Sequence, residues 1–226
     1  MNQVLGALHR ERLARARPKE TAHVLNAGGG PTLRLIERPG EHIGSRVWPG
    51  SEVLLHYLLF ILKAHDLREK TVLELGSGVG LLGISLAGSV RARGARVLVT
   101  DKDADILKCN CAANVQVFQA NGTTCTALEL DWNQPELPEF ERSLDLILGA
   151  DVLYNSDTAT PLFQTICLLI APENTTTKFI LCYKPRDTVS ESRFFESLSQ
   201  ANPPFIATSV HTSGEHTVYH IQRRAN

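Results

Sequence analysis

Thr71-Val-Leu-Glu-Leu-Gly-Ser-Gly-Val-Gly-Leu-Leu-Gly83 is the stretch on which the reading of this chain turns. A short apolar run of strand-forming residues ends in closely spaced glycines and passes into an apolar segment of helical length. A strand that meets a helix through glycines brings its backbone close to a ligand, because no Cβ stands in the way. The same rhythm continues downstream. Apolar runs over 96–100, 125–130, 144–150 and 178–183 predict strands, and 81–90, 104–114, 159–170 and 190–199 predict helices. Strands that are apolar throughout are buried on both faces, which calls for a parallel sheet covered by helices on each side. Two last runs, 205–211 and 217–222, flank Ser213-Gly214 and predict an antiparallel pair. The fold class is therefore α/β: a Rossmann-like, mostly parallel sheet of seven strands with the last strand antiparallel and helices on both faces.

Upstream of the glycines, apolar residues recur at helical spacing from Val53 to Leu62, predicting a helix over 51–64 with Ser51 as its N-cap. Before it, runs at 21–26 and 32–37 surround Gly28-Gly29-Gly30 and predict a hairpin, and 4–17 has the pattern of a helix. The chain thus divides into an N-terminal helix and hairpin extension, 1–40, and one domain, 41–226. With 23 Lys and Arg against 24 Asp and Glu, no global field draws in nucleic acid or a membrane surface. Arg10, Arg12, Arg15, Arg17 and Lys19 crowd the N-terminus, as a solvated helix face does. The five cysteines form no CxxC pair and no apolar leader precedes the domain. Both features predict a reducing compartment, cytoplasm or nucleus. The eight histidines form no cluster with metal-ligand spacing, so no metal is expected.

Candidate binding residues follow from the strand ends, since ligands of open α/β sheets sit outside the carboxyl ends of the strands. The glycine stretch contains a literal GxGxxG, Gly78-Val-Gly80-Leu-Leu-Gly83, so a nicotinamide oxidoreductase has to be weighed. Two features favour S-adenosylmethionine (SAM) instead. Glu74 precedes the first glycine by two positions, where a carboxylate can meet the cationic methionine end, and Gly76-x-Gly78-x-Gly80 needs no room for a pyrophosphate. Asp101 ends the second sheet strand, where a carboxylate accepts ribose hydroxyls of either cofactor or else caps the next helix. Trp132 either covers an adenine or plugs the core, and Asp131 either reaches the adenine amino group or caps its loop. Asp151 and Tyr154 end the fourth strand beside the glycines. Asp151 either holds an incoming amine or caps the following helix; Tyr154 either hydrogen-bonds that amine or walls it in.

Taken in order, Gly44-Ser-Arg-Val-Trp48-Pro-Gly-Ser-Glu, Leu-Glu-Leu-Gly-Ser-Gly-Val-Gly, Val-Thr-Asp101, Leu-Asp-Trp132 and Gly-Ala-Asp151-Val-Leu-Tyr154 resemble the methyltransferase-like family 16 group of eukaryotic seven-strand protein methyltransferases. The resemblance covers roughly residues 35 to 222; the first 34 residues match nothing in it. It implies SAM as cofactor, with the positions of Trp48, Gly76 to Gly78, Asp101, Trp132 and Ala150 touching it, and its Asp-x-x-Tyr signature marks a lysine-specific branch. The candidate cofactor-binding set is Trp48, Glu74, Gly76, Ser77, Gly78, Gly80, Asp101, Lys102, Asp131, Trp132 and Ala150, with Asp151 and Tyr154 as candidate catalytic residues. The expected reaction is methyl transfer to a lysine of a protein substrate by a monomeric chain. Other acceptors are histidine, arginine, an N-terminal amine or a small molecule. Intact Glu74, Gly76, Gly78, Asp101 and Asp151 speak against an adaptor without activity, and the lack of a Tyr-x-x-x-Lys pair speaks against the oxidoreductase.

Overall fold

The structure, a computed structural model, describes residues 19–24, 31–62, 67–137, 144–155 and 157–225. The predicted helix over 4–17 and the three-glycine turn lie outside the described residues, as do positions 63 and 64 of the helix predicted to end there.

Five parallel strands, β3 (Thr71–Leu75), β4 (Arg96–Asp101), β5 (Thr124–Glu129), β6 (Leu146–Ala150) and β7 (Lys178–Tyr183), form the sheet with the closing hairpin β8 (Phe205–Ser213) and β9 (His216–Arg223). The strand order is β5-β4-β3-β6-β7-β9-β8. β9, last in the chain, inserts antiparallel between β7 and β8 and is the reversed strand that the sequence predicts. All five residues of β3 are buried, and so are all five of β6. Alternate side chains of β3, β4 and β6 feed two cores, one on each face of the sheet: Val72, Val97 and Leu148 on one side, Leu73, Leu98 and Ile147 on the other. At about 1.5–3 kcal/mol for each large apolar side chain removed from water, these layers hold the sheet together.

Helices α1 (Pro49–His56), α2 (Leu81–Gly88), α3 (Asp105–Ala113), α4 (Val115–Asn121), α5 (Ala159–Leu169) and α6 (Thr188–Gln200) surround it. Every residue of α2 is buried. Its Gly83 lies so near β4 that a Cβ there would stand 2.3 Å from Val99 Cγ1, so the last glycine of the literal GxGxxG packs helix on strand. α1 begins two residues before the predicted start: Trp48 occupies the N-cap and Pro49 the first turn, where its fixed φ suits a helix and its missing N–H costs nothing. Ser51 donates its N–H to the Trp48 carbonyl and caps nothing. α1 runs on into a π-helical turn, Tyr57–Ile61. α4 has no counterpart in the sequence reading and ends at Gly122, whose φ is 66°.

An antiparallel hairpin, β1 (Lys19–Val24) and β2 (Thr32–Glu37), lies outside the sheet. Its Leu33 and Leu35 are fully buried in the core that α2 also fills. The free edge of β2 is met by two asparagines one helical turn apart, Asn110 on α3 and Asn114 at its C-cap. Asn114 accepts the Arg34 N–H at 2.9 Å and donates to the Arg34 carbonyl at 2.7 Å. Asn110 accepts the Ile36 N–H at 2.8 Å and donates to the carbonyls of Ile36 (3.2 Å) and Val79 (2.8 Å). These amides replace a neighbouring strand and tie the hairpin to the loop before α2.

Cys111 and Cys125 place their sulfurs 3.7 Å apart as free thiols, among the small apolar side chains of the interior. No helix among the described residues is long and apolar enough to cross a membrane.

Candidate active site

The order of the strands reverses between β3 and β6, and a crevice of about 480 Å³ opens there at their carboxyl ends. One wall is the segment 42–48. Glu37, buried at the end of β2, accepts the Val47 N–H at 2.8 Å, and Arg38 donates its N–H to Ser45 at 2.8 Å, so the hairpin holds this wall in place. Trp48 lines the crevice with its indole N–H on the Ile43 carbonyl (2.9 Å) and the Arg46 guanidinium 4.1 Å above its ring.

The floor is the glycine loop. Gly76 and Gly78 have φ of 62° and 56°, a left-handed backbone that side chains disfavour. A Cβ on Gly76 would come within 2.9 Å of Val152, and one on Gly78 within 2.8 Å of the Gly44 carbonyl. Ser77 is bonded to β4 through its N–H to Thr100 (2.8 Å) and its hydroxyl, which accepts the Thr100 N–H (3.1 Å). Asp101 accepts the Gly78 N–H at 2.8 Å, and burial raises its carboxyl pKa against the bonds from Gly78 and Asp103. Trp132 touches the loop at Gly76 and packs on the core beneath while its ring lines the crevice, so it is wall and plug at once. Asp131 is engaged on both oxygens, by the two N–H groups of Asn133 (2.9 and 3.0 Å) and by Lys102 (2.9 Å). The Asn133 backbone bond and then Lys102 hold its carboxyl below the usual range. Asp131 therefore caps its loop.

Of the predicted set, Trp48, Gly76, Ser77, Gly78, Asp101, Lys102, Asp131, Trp132, Ala150, Asp151 and Tyr154 line the crevice, whereas Glu74 and Gly80 do not. Gly80 is the N-cap of α2, and a Cβ there would lie 2.8 Å from Ile84 and from Leu107. Glu74 shares the strand face of Val72, which looks toward α2. Its carboxyl is buried and accepts the Gly83 N–H at 2.9 Å. Burial pushes its pKa up to about 8, against the Gly83 and Ser77 bonds. The acid is thus mostly protonated in the fold at neutral pH, while the unfolded chain ionises near 4.5. The favourable contribution is complete below that lower value and is lost as pH rises through about 8. Glu74→Gln, which keeps the acceptor for Gly83 but has no proton to lose, is expected to gain on the wild type in thermal unfolding between pH 5 and 8. The gap should reach a few kcal/mol; an equal gap at every pH would show that Glu74 is ionised in the fold.

Asp151 follows β6 with a φ of 54°, uncommon for a residue with a side chain but tolerated by aspartate. Its buried carboxylate accepts the Gly50 N–H at 2.8 Å, so it caps α1, a helix that starts 102 residues earlier, and not the helix that follows. Arg186 lies 3.3 Å from Oδ1 and His216 3.4 Å from Oδ2, and the Lys184 N–H reaches Oδ1 at 3.4 Å. Tyr154 is half-buried, and burial first, then Asp101, raises its hydroxyl pKa, so it remains an O–H. Gly44, Arg46 and Arg186 line the crevice without belonging to the predicted site set, though the first two lie in the quoted Gly44–Trp48 stretch. For Arg186 the available signal is the strand-end rule, since it follows β7 as Asp151 follows β6. No cluster of metal-binding side chains occurs among the described residues.

A switch-point crevice over a glycine loop, on a sheet closed by a reversed last strand, is a methyltransferase fold. A solved methyltransferase from Pyrococcus furiosus superposes with a TM-score of 0.54 over 98% of both chains at 14% identity. The model of the lysine methyltransferase family matches residues 29–201, and the chain belongs to that family, as the methyltransferase-like family 16 resemblance implies. Among its relatives are the protein N-lysine methyltransferase METTL21A of Mus musculus, 33% identical over 80% of this chain and 78% of that protein, and a calmodulin-lysine N-methyltransferase of Arabidopsis thaliana, 29% identical over 71% of this chain. The chain spans 51% of the Arabidopsis protein.

Proposed function

We propose that this chain transfers the methyl group of SAM to the ε-amine of a lysine in a protein substrate. The observation that carries the reading is the placement of Asp151 and Tyr154 beside the glycine loop, in the crevice that Asp101 and Trp132 also line. The crevice suits the cofactor. Gly76 and Gly78 line it without a Cβ, and Asp101, which lines it too, accepts the Gly78 N–H on Oδ2 and the Asp103 N–H on Oδ1 at a long 3.5 Å. Gly76 to Gly78 would hold the methionine portion with backbone groups, Asp101 the ribose hydroxyls and Trp132 the adenine face. SAM supplies an electrophilic sulfonium methyl. The chain's part is to exclude water and to hold an amine in line with that methyl. Trp48 and Tyr154 wall the acceptor end, and the Tyr154 hydroxyl can accept one amine N–H.

Transfer of labelled methyl from SAM into the proteins of a cell lysate tests the reading. A discrete labelled band that yields methyl-lysine on hydrolysis is expected. SAM binding without label in any protein would move the acceptor to a small molecule.

A further inference from the structure

A lysine amine attacks only when neutral, and lysine's ordinary pKa near 10.4 makes that form scarce at pH 7. A bare carboxylate at the acceptor site would make it scarcer, because an adjacent negative charge stabilises the ammonium. In this crevice the carboxylate is not bare. The Arg186 guanidinium lies 3.3 Å from Asp151 Oδ1 and 5.1 Å from the centre of the Trp48 ring, so it fills the space between a carboxylate and an aromatic face where a cationic amine would otherwise settle. Its backbone is held: the Arg186 N–H donates to Glu191 at 2.8 Å.

The groups around Asp151 leave this task to Arg186. Gly50 and Lys184 offer backbone N–H groups, and the Lys184 ammonium is paired with Glu215 at 2.6 Å. Cys182, on the adjoining strand, has its thiol pushed up to about 12 by burial and then by Asp151. His216 faces Oδ2 from β9 at 3.4 Å, and a guanidinium is charged at every working pH. Tyr154, Asp157 and Arg46 line the same crevice.

We propose that Arg186 is a further functional residue of the transfer: its guanidinium cancels the charge of Asp151, so that the incoming lysine amine sits beside a neutralised pair and is held in its unprotonated, nucleophilic form. The amine sheds its proton to water before attack, its lone pair forms the N–CH3 bond, and the C–S electron pair leaves on sulfur. The inference rests on the lysine-methyltransfer reading above.

The test is the pH profile of labelled-methyl transfer into the lysate band at saturating SAM, for wild type, Arg186→Gln and Arg186→Lys, with SAM titration and thermal unfolding as checks of the fold. Loss of the cation should move the rising limb of the Gln profile about one pH unit upward, so that the rate at pH 7 falls about tenfold and recovers at high pH. The Lys variant should stay near the wild-type profile. If the Gln variant does not bind SAM, Arg186→Met, which keeps the apolar stem over Trp48, is read in its place. Coincident profiles would overturn the proposal, and so would a neutral variant faster than wild type at pH 7, since Arg186 would then be an obstruction. If the wild type transfers no methyl to lysine at any pH, the underlying reading falls instead.

Discussion

Asp151→Ala is expected to lower methyl transfer at least about 100-fold while SAM affinity changes less than about threefold. Three losses coincide in this variant. The α1 amide of Gly50 loses its acceptor, which costs about 1–2 kcal/mol as for other helix caps. Alanine in the left-handed conformation of this position adds about 1–2 kcal/mol of strain. Arg186 and His216 lose their anion, but the Arg186 side chain is 28% exposed and turns to water, so little is added. The expected drop in stability is therefore about 2–4 kcal/mol. Asp151→Asn keeps an oxygen for Gly50 and tolerates the backbone, so it should unfold near the wild-type temperature. Turnover and SAM titration on Asp151→Ala, with unfolding of both variants, check this; wild-type turnover in Asp151→Ala would remove Asp151 from the reaction.

Gly78→Ala should weaken SAM binding by about 30- to 1,000-fold. Its Cβ would lie 2.8 Å from the Gly44 carbonyl, and the backbone at φ 56° resists a side chain by a further 1–2 kcal/mol or about that. Either the glycine loop or the 42–48 wall has to retreat, and each borders the crevice. With a factor of ten for about every 1.4 kcal/mol, a combined cost of about 2–4 kcal/mol gives that range. Titration with SAM decides it: affinity within about threefold of wild type would mean that the cofactor does not rest on this loop.

Apolar runs marked the central strands β3, β4, β6 and β7, because a strand buried on both faces has little choice of residue, and polar residues at the strand ends marked most of the crevice. At Ser51 and Arg186 the departures share a physical cause, which is distance along the chain. Ser51 has the composition of a cap, but the acceptor for α1 is the carboxylate of Asp151 and Pro49 already provides the start. Glu74 stands next to the glycines in the chain, and strand alternation puts its side chain on the face of Val72, outside the crevice lining. Arg186 carries no motif and takes its place through contacts with Asp151 and Trp48, both remote in the chain. α4 escaped notice because Val115 and Val117 favour strands and Phe118 is its one buried residue.

The Asn110 amide serves two masters: one oxygen and one nitrogen hold the peptide of Ile36 in the hairpin, and the same nitrogen holds the Val79 carbonyl of the glycine loop. Breathing motions of the two segments are therefore not independent. The hairpin cannot lift from α3 without loosening the loop that floors the crevice, so the two belong to a single unit of local unfolding, and whatever settles on that loop will quiet the outlying hairpin as well.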